Sequence, residues 1–219
     1  MTLTEQLDLY CERMGPDFWA EPVNAITNAA FLLAAIWAGA RLRGSGLGLG
    51  WALAGLLFAI GVGSFLFHSF ATTWALIADV VPIVLFILVF VFATHRDVIG
   101  HPLWLSALAV PGFLIFAAVS GAGFAALPGF AISAGYWPVV LALIIYAVAL
   151  RSLPDIRCGF LIGAALLTLS LTARSLDLPV CETIPLGTHF LWHVLNGIML
   201  AWMIEVYRRH MLAGAAARG

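Results

Sequence analysis

The chain has 219 residues, of which 63% are hydrophobic and only 10% are charged, and its mean hydropathy is +1.05. An ordinary soluble domain is about half apolar and about a quarter charged, so this composition excludes a typical soluble protein and predicts one embedded in a bilayer. The formal net charge of -1 says little about partners, but the lack of a basic patch argues against nucleic-acid binding.

The succession of apolar runs and short connections along the chain predicts a single all-α membrane domain. Residues 1–22 lack the basic region and apolar core of a cleavable signal peptide, so we expect them to form an N-terminal segment ahead of the first span. Apolar runs of about 20 residues predict seven transmembrane helices. These runs lie at about 23–41, 49–68, 74–94, 103–120, 134–150, 157–174 and 187–207. Residues 121–133 are short and glycine-rich, which favours an interfacial or re-entrant loop over an eighth span.

The arginines predict the orientation of the helical bundle, residues 23–207. The clusters that follow or bracket spans lie at Arg41, Arg43, Arg96, Arg151, Arg157, Arg208 and Arg209. Because positive residues favour cytoplasmic loops, the N-terminus is expected outside, and residues 208–219 are expected to form a cytoplasmic tail. The arginine-only, alanine- and glycine-rich composition favours a bacterial inner membrane.

Five polar residues stand out because polar and ionisable groups inside a span are costly and usually functional. Ser64 and His68 are four residues apart near the end of the second span, and Asp79 lies early in the third. His189 and His193 are four apart at the start of the seventh, and such neighbours share a helix face. The alternating span directions place all five at one depth, towards the outer (periplasmic) side.

Three histidines with an open fourth position are the composition of a catalytic zinc site. We therefore predict that His68, His189 and His193 bind zinc, with Asp79 as the general base and Ser64 as a donor to the developing oxyanion. The alternative interpretation of a lone pair of histidines is an interfacial position. No role is assigned to His95, His101 and His210, and Trp192 is interpreted as an interfacial anchor.

Two cysteines are predicted on the outer side, Cys11 in the N-terminal segment and Cys181 before the last span, whereas Cys158 is predicted at the cytoplasmic side. Disulfides persist in oxidising compartments, so Cys11 and Cys181 are the pair expected to be bonded; two free thiols are the alternative.

The acidic residues at 12, 17 and 21 could provide carboxylate ligands for a calcium ion. On spacing alone, however, a solvated acidic face is the favoured interpretation.

The SxxxH, Asp and HxxxH pattern resembles the superfamily of seven-helix membrane hydrolases that includes alkaline ceramidases, progestin/adiponectin receptors and Per1-type proteins. Residues 10–28, YCERMGPDFWAEPVNAITN, resemble the alkaline ceramidase opening, in which a Cys-Glu pair (Cys11, Glu12) precedes Glu-x-x-Asn (Glu21, Asn24). This resemblance implies a zinc-dependent amidase that hydrolyses ceramide, a membrane lipid, to sphingosine and a fatty acid.

The same resemblance implies a disulfide in the N-terminal region and a calcium site. The calcium ligands would be the carboxylates of Glu12 and Glu21 and the carbonyl of Tyr10. Two positions depart from the family pattern: Leu9 stands where the family has aspartate, and Met14 where it has asparagine.

Other functions are compatible with part of this residue pattern. One is a zinc hydrolase that acts on another acyl-lipid, and another is a seven-helix receptor or sensor with a structural zinc, for which a spare carboxylate such as Asp79 has no use. Retinal binding is excluded because the chain has no lysine for a Schiff base. Ligation of haem by two histidines stays open.

Overall fold

The computed structural model describes residues 2–216, which form eight α-helices joined by short connections. The helices are α1 (Pro22–Thr27), α2 (Ala29–Leu42), α3 (Gly48–Phe70), α4 (Thr73–Ala93), α5 (Leu103–Ala125), α6 (Trp137–Ala149), α7 (Pro154–Leu176) and α8 (His189–Ala216). A π-helical turn, Thr94–Val98, extends α4. From α2 to α8 each helix packs on its neighbours in sequence, and α8 closes the ring against α2 and α3.

Six of these helical stretches are long and apolar enough to cross a membrane. They are Pro22–Leu42 (α1 with α2), Gly48–Phe70, Thr73–Val98, Leu103–Ala125, Pro154–Leu176 and His189–Gly214. Large apolar side chains project outward from them, with Leu33 at 67%, Ile115 at 68% and Val119 at 71% exposure. Such a continuous apolar exterior suits contact with lipid. The chain is therefore an all-α, multi-pass integral membrane protein.

The seventh predicted span, 134–150, is shorter in the structure. Its helix, α6, has 13 residues, and at 1.5 Å per residue it extends about 20 Å, whereas the hydrocarbon core of a bilayer is about 30 Å thick. Pro138 lies in the first turn and fits there, because a helix start needs no backbone N–H at that position. The structure thus has six full-length spans and one short apolar helix within residues 2–216.

Two helices extend beyond their predicted ends. The predicted loop 121–133 is helical as far as Ala125, because a helix satisfies its own backbone groups in apolar surroundings. The predicted tail 208–219 is helical as far as Ala216, and residues 217–219 lie outside the described part of the chain. Arg208 and Arg209 continue α8 by pairing with Glu205 one turn earlier, at 2.7 and 2.8 Å.

Helices α3 and α4 are in direct backbone contact at Gly63. A Cβ atom there would collide with the carbonyl oxygen of Ala78. Pro82 has no N–H to bond that carbonyl within the helix, so the oxygen is free to face α3. The close approach brings the residues after Gly63 and Ala78, which are Ser64 and Asp79, next to each other.

The N-terminal segment lies across the turn between α3 and α4. Leu7 N donates to Ala71 O at 2.7 Å, and Thr73 N donates to Glu5 O at 3.1 Å. Ala71 has a φ of 44° and ends α3 in the left-handed conformation that usually favours glycine. The bonds to the N-terminal segment hold this conformation in place. We call this end of the bundle, formed by residues 2–21, the end of α3 and the start of α8, the N-terminal face.

Cys158 provides a direct test of the predicted orientation. It is a free, exposed cysteine in the first turn of α7, at the end of the bundle opposite the N-terminal face. If that end is cytoplasmic, a membrane-impermeant maleimide will label sealed inside-out vesicles and leave sealed right-side-out vesicles unlabelled. Cys158→Ser should abolish the labelling. Labelling of right-side-out vesicles alone would reverse the orientation.

Candidate functional site

Three buried histidines converge at the N-terminal face. His68 lies in the last turn of α3, and His189 and His193 lie in the first two turns of α8; none is more than 2% exposed. One ring nitrogen of each lies within 4.8 Å of the other two. The three side chains therefore converge closely enough to hold one metal ion, as the prediction requires, and the identity of the metal as zinc stays a prediction.

Hydrogen bonds fix the protonation of two of the rings. His68 Nδ1 lies 2.6 Å from the carboxylate of Glu21, which can only accept. His193 Nδ1 lies 2.9 Å from Thr27 Oγ1, whose own hydrogen is donated to Val23 O at 2.7 Å. Both rings therefore carry a proton on Nδ1, so Nε2 is the atom of each ring that can bind a metal ion.

The donor set fits a metal ion. The Nε2 atoms of His68 and His193 face each other at 3.0 Å. At this distance the two atoms either share one proton or point at the same metal ion. His189 Nδ1 is also buried without a hydrogen-bond partner in the described structure. Neutral imidazoles whose outer nitrogens are hydrogen-bonded are the usual ligands of zinc.

Glu21 orients His68 and is itself held by Arg13. The Arg13 guanidinium pairs with Glu21 and donates to the backbone oxygens of Gly15 at 2.8 Å and His68 at 2.9 Å. Burial acts to raise the pKa of Glu21, but the hydrogen bonds from His68 and Arg13 outweigh it, and the pKa lies below its ordinary value. An ionised carboxylate behind a histidine increases the ligand strength of its ring.

The residues predicted to bind calcium have other partners. Both carboxylate oxygens of Glu12 accept backbone N–H groups at the start of α1, from Val23 at 2.7 Å and Asn24 at 2.8 Å. The Tyr10 carbonyl accepts the N–H of Arg13 at 3.2 Å. Since the Arg13 guanidinium already neutralises Glu21, a divalent cation there would meet a positive charge. These contacts do not fit a calcium ion, so the calcium site stays a prediction without structural support.

The predicted base and oxyanion donor lie beside the histidines. Asp79, in the second turn of α4, is 9% exposed and lies close to His68. The hydroxyl of Ser64, which is 3% exposed, approaches the Asp79 carboxylate. The structure thus brings Asp79 and Ser64 to the same site as the three histidines. Among the described residues, no arginine forms an ion pair with Asp79.

A disulfide and a buried aspartate attach the N-terminal segment to the start of α8. The predicted disulfide between Cys11 and Cys181 is confirmed, with a Cα–Cα distance of 5.4 Å. Asp177 accepts the backbone N–H groups of Cys11 at 2.9 Å and of Thr188 and His189 at 2.8 Å each. A carboxylate at a helix N-terminus is stabilising. Asp177 therefore fixes the first histidine of α8.

Aromatic side chains and one arginine surround the outward-facing side of the site. The Tyr10 ring stacks on His189 with centroids 3.7 Å apart, and burial raises the pKa of Tyr10, so that its hydroxyl stays protonated. Tyr136 and Trp192 lie 5.3 Å apart, and the Arg174 guanidinium lies over both rings. Trp192 is 5% exposed, so its interpretation as an interfacial anchor was wrong; it belongs to the core.

An apolar cavity extends from this site towards the opposite end of the bundle. Tyr136 and Trp192 line one end and Phe90 and Tyr146 the other, between helices α4, α5, α6 and α8. Asn196, one turn after His193, also lines the cavity, and its amide oxygen has no hydrogen-bond partner within the described chain. A cavity of this lining suits an alkyl chain.

The histidine cluster is tested by metal content. We expect purified protein to contain about one zinc ion per chain by elemental analysis, because three fixed neutral imidazoles form a zinc ligand set. His193→Ala should lose it, whereas His210→Ala, at the opposite end of the bundle, should keep it. Equal zinc content in the two variants would contradict the site.

The partner of His193 is tested by an isosteric change. Thr27→Val removes the oxygen that accepts the His193 Nδ1–H, and loss of such a contact typically weakens metal affinity by about 10- to 100-fold. Competition with a zinc chelator measures the change. Thr172→Val, at an exposed threonine of α7, is the matched control. An unchanged affinity in Thr27→Val would show that the hydrogen bond does not orient His193.

Comparison of the chain with models of known protein families and with curated proteins gave no match. The resemblance to alkaline ceramidases therefore depends on the motifs alone.

Proposed function

We propose that this protein is a zinc-dependent intramembrane amidase that hydrolyses an acyl-amide lipid. The observation that carries the proposal is the convergence of one ring nitrogen from each of three buried histidines within 4.8 Å, with the buried carboxylate of Asp79 beside them. The resemblance to alkaline ceramidases indicates ceramide as the substrate and sphingosine with a fatty acid as the products. The orientation predicted from the arginines puts the site on the periplasmic side of a bacterial inner membrane.

Asp79 is the proton-transfer group in this proposal. It takes the proton of the attacking water and returns it to the departing amine, as a general base and then a general acid. Zinc, when bound by the three histidines, polarises the carbonyl and acidifies water. Ser64 orients Asp79 in the resting site, and rotation of its hydroxyl lets it donate to the oxygen of the tetrahedral intermediate.

The apolar cavity supports a lipid substrate. Its lining includes Trp192 and Asn196, which are neighbours of His193 in α8, and it runs along several turns of α4, α6 and α8, which suits an acyl chain. A groove on the surface between α5 and α6 shares Phe113, Ala142 and Tyr146 with this cavity. This shared wall supports a path by which a chain enters sideways from the bilayer.

Other functions fit the site less well. A receptor with a structural zinc has no use for a buried carboxylate beside the ligands, and the position of Asp79 therefore favours catalysis. The 3.0 Å separation of His68 and His193 does not accommodate a porphyrin between them, which argues against haem. A zinc hydrolase that acts on another acyl-lipid uses the same residues and differs only in the substrate.

The proposal predicts that the protein hydrolyses ceramide or a related acyl amide in detergent micelles, with release of fatty acid. Asp79→Asn should lower the rate by at least about 100-fold, because it removes the general base, while zinc content stays unchanged. Asp155→Asn, an exposed aspartate of α7, is the control. Full activity of Asp79→Asn, or no hydrolysis of any acyl amide by the zinc-loaded protein, would refute the proposal.

A further inference from the structure

Arg174 forms no ion pair with a carboxylate among residues 2–216. Within residues 2–216, each ion pair of an arginine involves Arg13, Arg41, Arg96, Arg208 or Arg209. The Arg174 guanidinium instead donates to the backbone oxygen of Ile132 at 2.7 Å and to the hydroxyl of Ser133 at 3.1 Å, both through one nitrogen. Among residues 2–216 no carboxylate lies within ion-pair distance of this guanidinium.

This charge lies at the edge of the candidate site. The guanidinium carbon is 5.6 Å from the ring centre of Tyr136 and 5.8 Å from that of Trp192, and these two rings line the end of the apolar cavity. The guanidinium also approaches the Tyr10 hydroxyl and lies close enough to Asp79 for its charge to act on the carboxylate.

The positions of the apolar cavity and of Arg174 indicate which part of a substrate each of them contacts. With the acyl chain in the apolar cavity and the amide at the histidines, a substituent on the nitrogen that passes Tyr136 and Trp192 would meet the Arg174 guanidinium. A guanidinium with free N–H donors over aromatic rings binds carboxylates and phosphates more strongly than neutral hydroxyl groups. The neutral head of ceramide leaves this charge unpaired.

We propose that the substrate is an acyl amide whose amine part carries an anionic group, such as an N-acyl amino acid, and that Arg174 binds this anion. The inference rests on the proposed function, because it assumes that the histidine site cleaves an amide. Arg174 is a binding residue in this proposal, and the ligation of zinc does not depend on it.

A matched pair of substrates tests the proposal. N-oleoylglycine and N-oleoylglycinamide differ only in the carboxylate, and both can be presented in micelles of a neutral detergent. We expect kcat/KM to favour N-oleoylglycine by about 10- to 100-fold, the ratio expected of a hydrogen bond to a charged group. Arg174→Gln should abolish this preference, and Arg174→Lys should keep part of it. Arg151→Gln, at an exposed arginine of the opposite end, is the control.

The outcomes separate the two proposals. Equal kcat/KM for the pair, with hydrolysis of ceramide intact, would overturn the role of Arg174 and leave the amidase standing. A similar loss for both substrates in Arg174→Gln would show that Arg174 only holds the loop around Ile132 and Ser133. If Arg174→Gln weakens inhibition by oleate but leaves the substrate preference unchanged, the residue binds the fatty-acid product, and the proposal is also overturned.

If no hydrolysis is found, binding measurements still test whether Arg174 binds the anionic group. Dissociation constants of the two glycine derivatives, measured by titration of Asp79→Asn protein, report on Arg174 independently of catalysis. Tighter binding of N-oleoylglycine that is lost in the double variant with Arg174→Gln would support the anion site even though the amidase had failed. Equal dissociation constants would overturn it.

Discussion

The buried hydrogen bond between Glu21 and His68 is the contact on which the rest of the site depends. Its 2.6 Å length joins a carboxylate just before α1 to a ring at the end of α3. A carboxylate buried in a membrane protein is costly unless it is paired, and here Arg13 provides the opposite charge. The same contact puts the His68 proton on Nδ1 and frees Nε2 for a metal.

The N-terminal segment is therefore part of the candidate active site and not an appendage to the bundle. It provides Arg13 and Glu21 behind His68, Tyr10 on the face of His189, and Cys11 for the disulfide to Cys181. Asp177 completes the attachment by accepting N–H groups from both the segment and α8. Two helices from distant parts of the chain are thereby held in one arrangement.

The sequence predicted the convergence of the histidines and the disulfide, from helical spacing and alternating span directions, but it did not predict the residues that orient them. The spacing of His189 and His193, and of Ser64 and His68, follows from helical periodicity and needs no tertiary information. The orienting contacts join residues more than 10 positions apart in the sequence, and no spacing rule predicts them. They are made by Arg13, Asp177 and Arg174. The resemblance implied that the Glu21 carboxylate is a calcium ligand. It could not show that the Arg13 guanidinium lies next to this carboxylate. The sequence also did not show that α6 is short, because the apolar run continues past both ends of the helix.

X-ray absorption spectroscopy at the zinc edge of the purified protein tests the central claim most directly. We predict one zinc ion with three imidazole nitrogens at about 2.0–2.1 Å and one further light-atom ligand. His68→Ala, His189→Ala and His193→Ala should each remove one imidazole from the spectrum or lose the metal. A protein without zinc, or a zinc ion bound by sulfur or by fewer than three imidazoles, would contradict the site described for His68, His189 and His193.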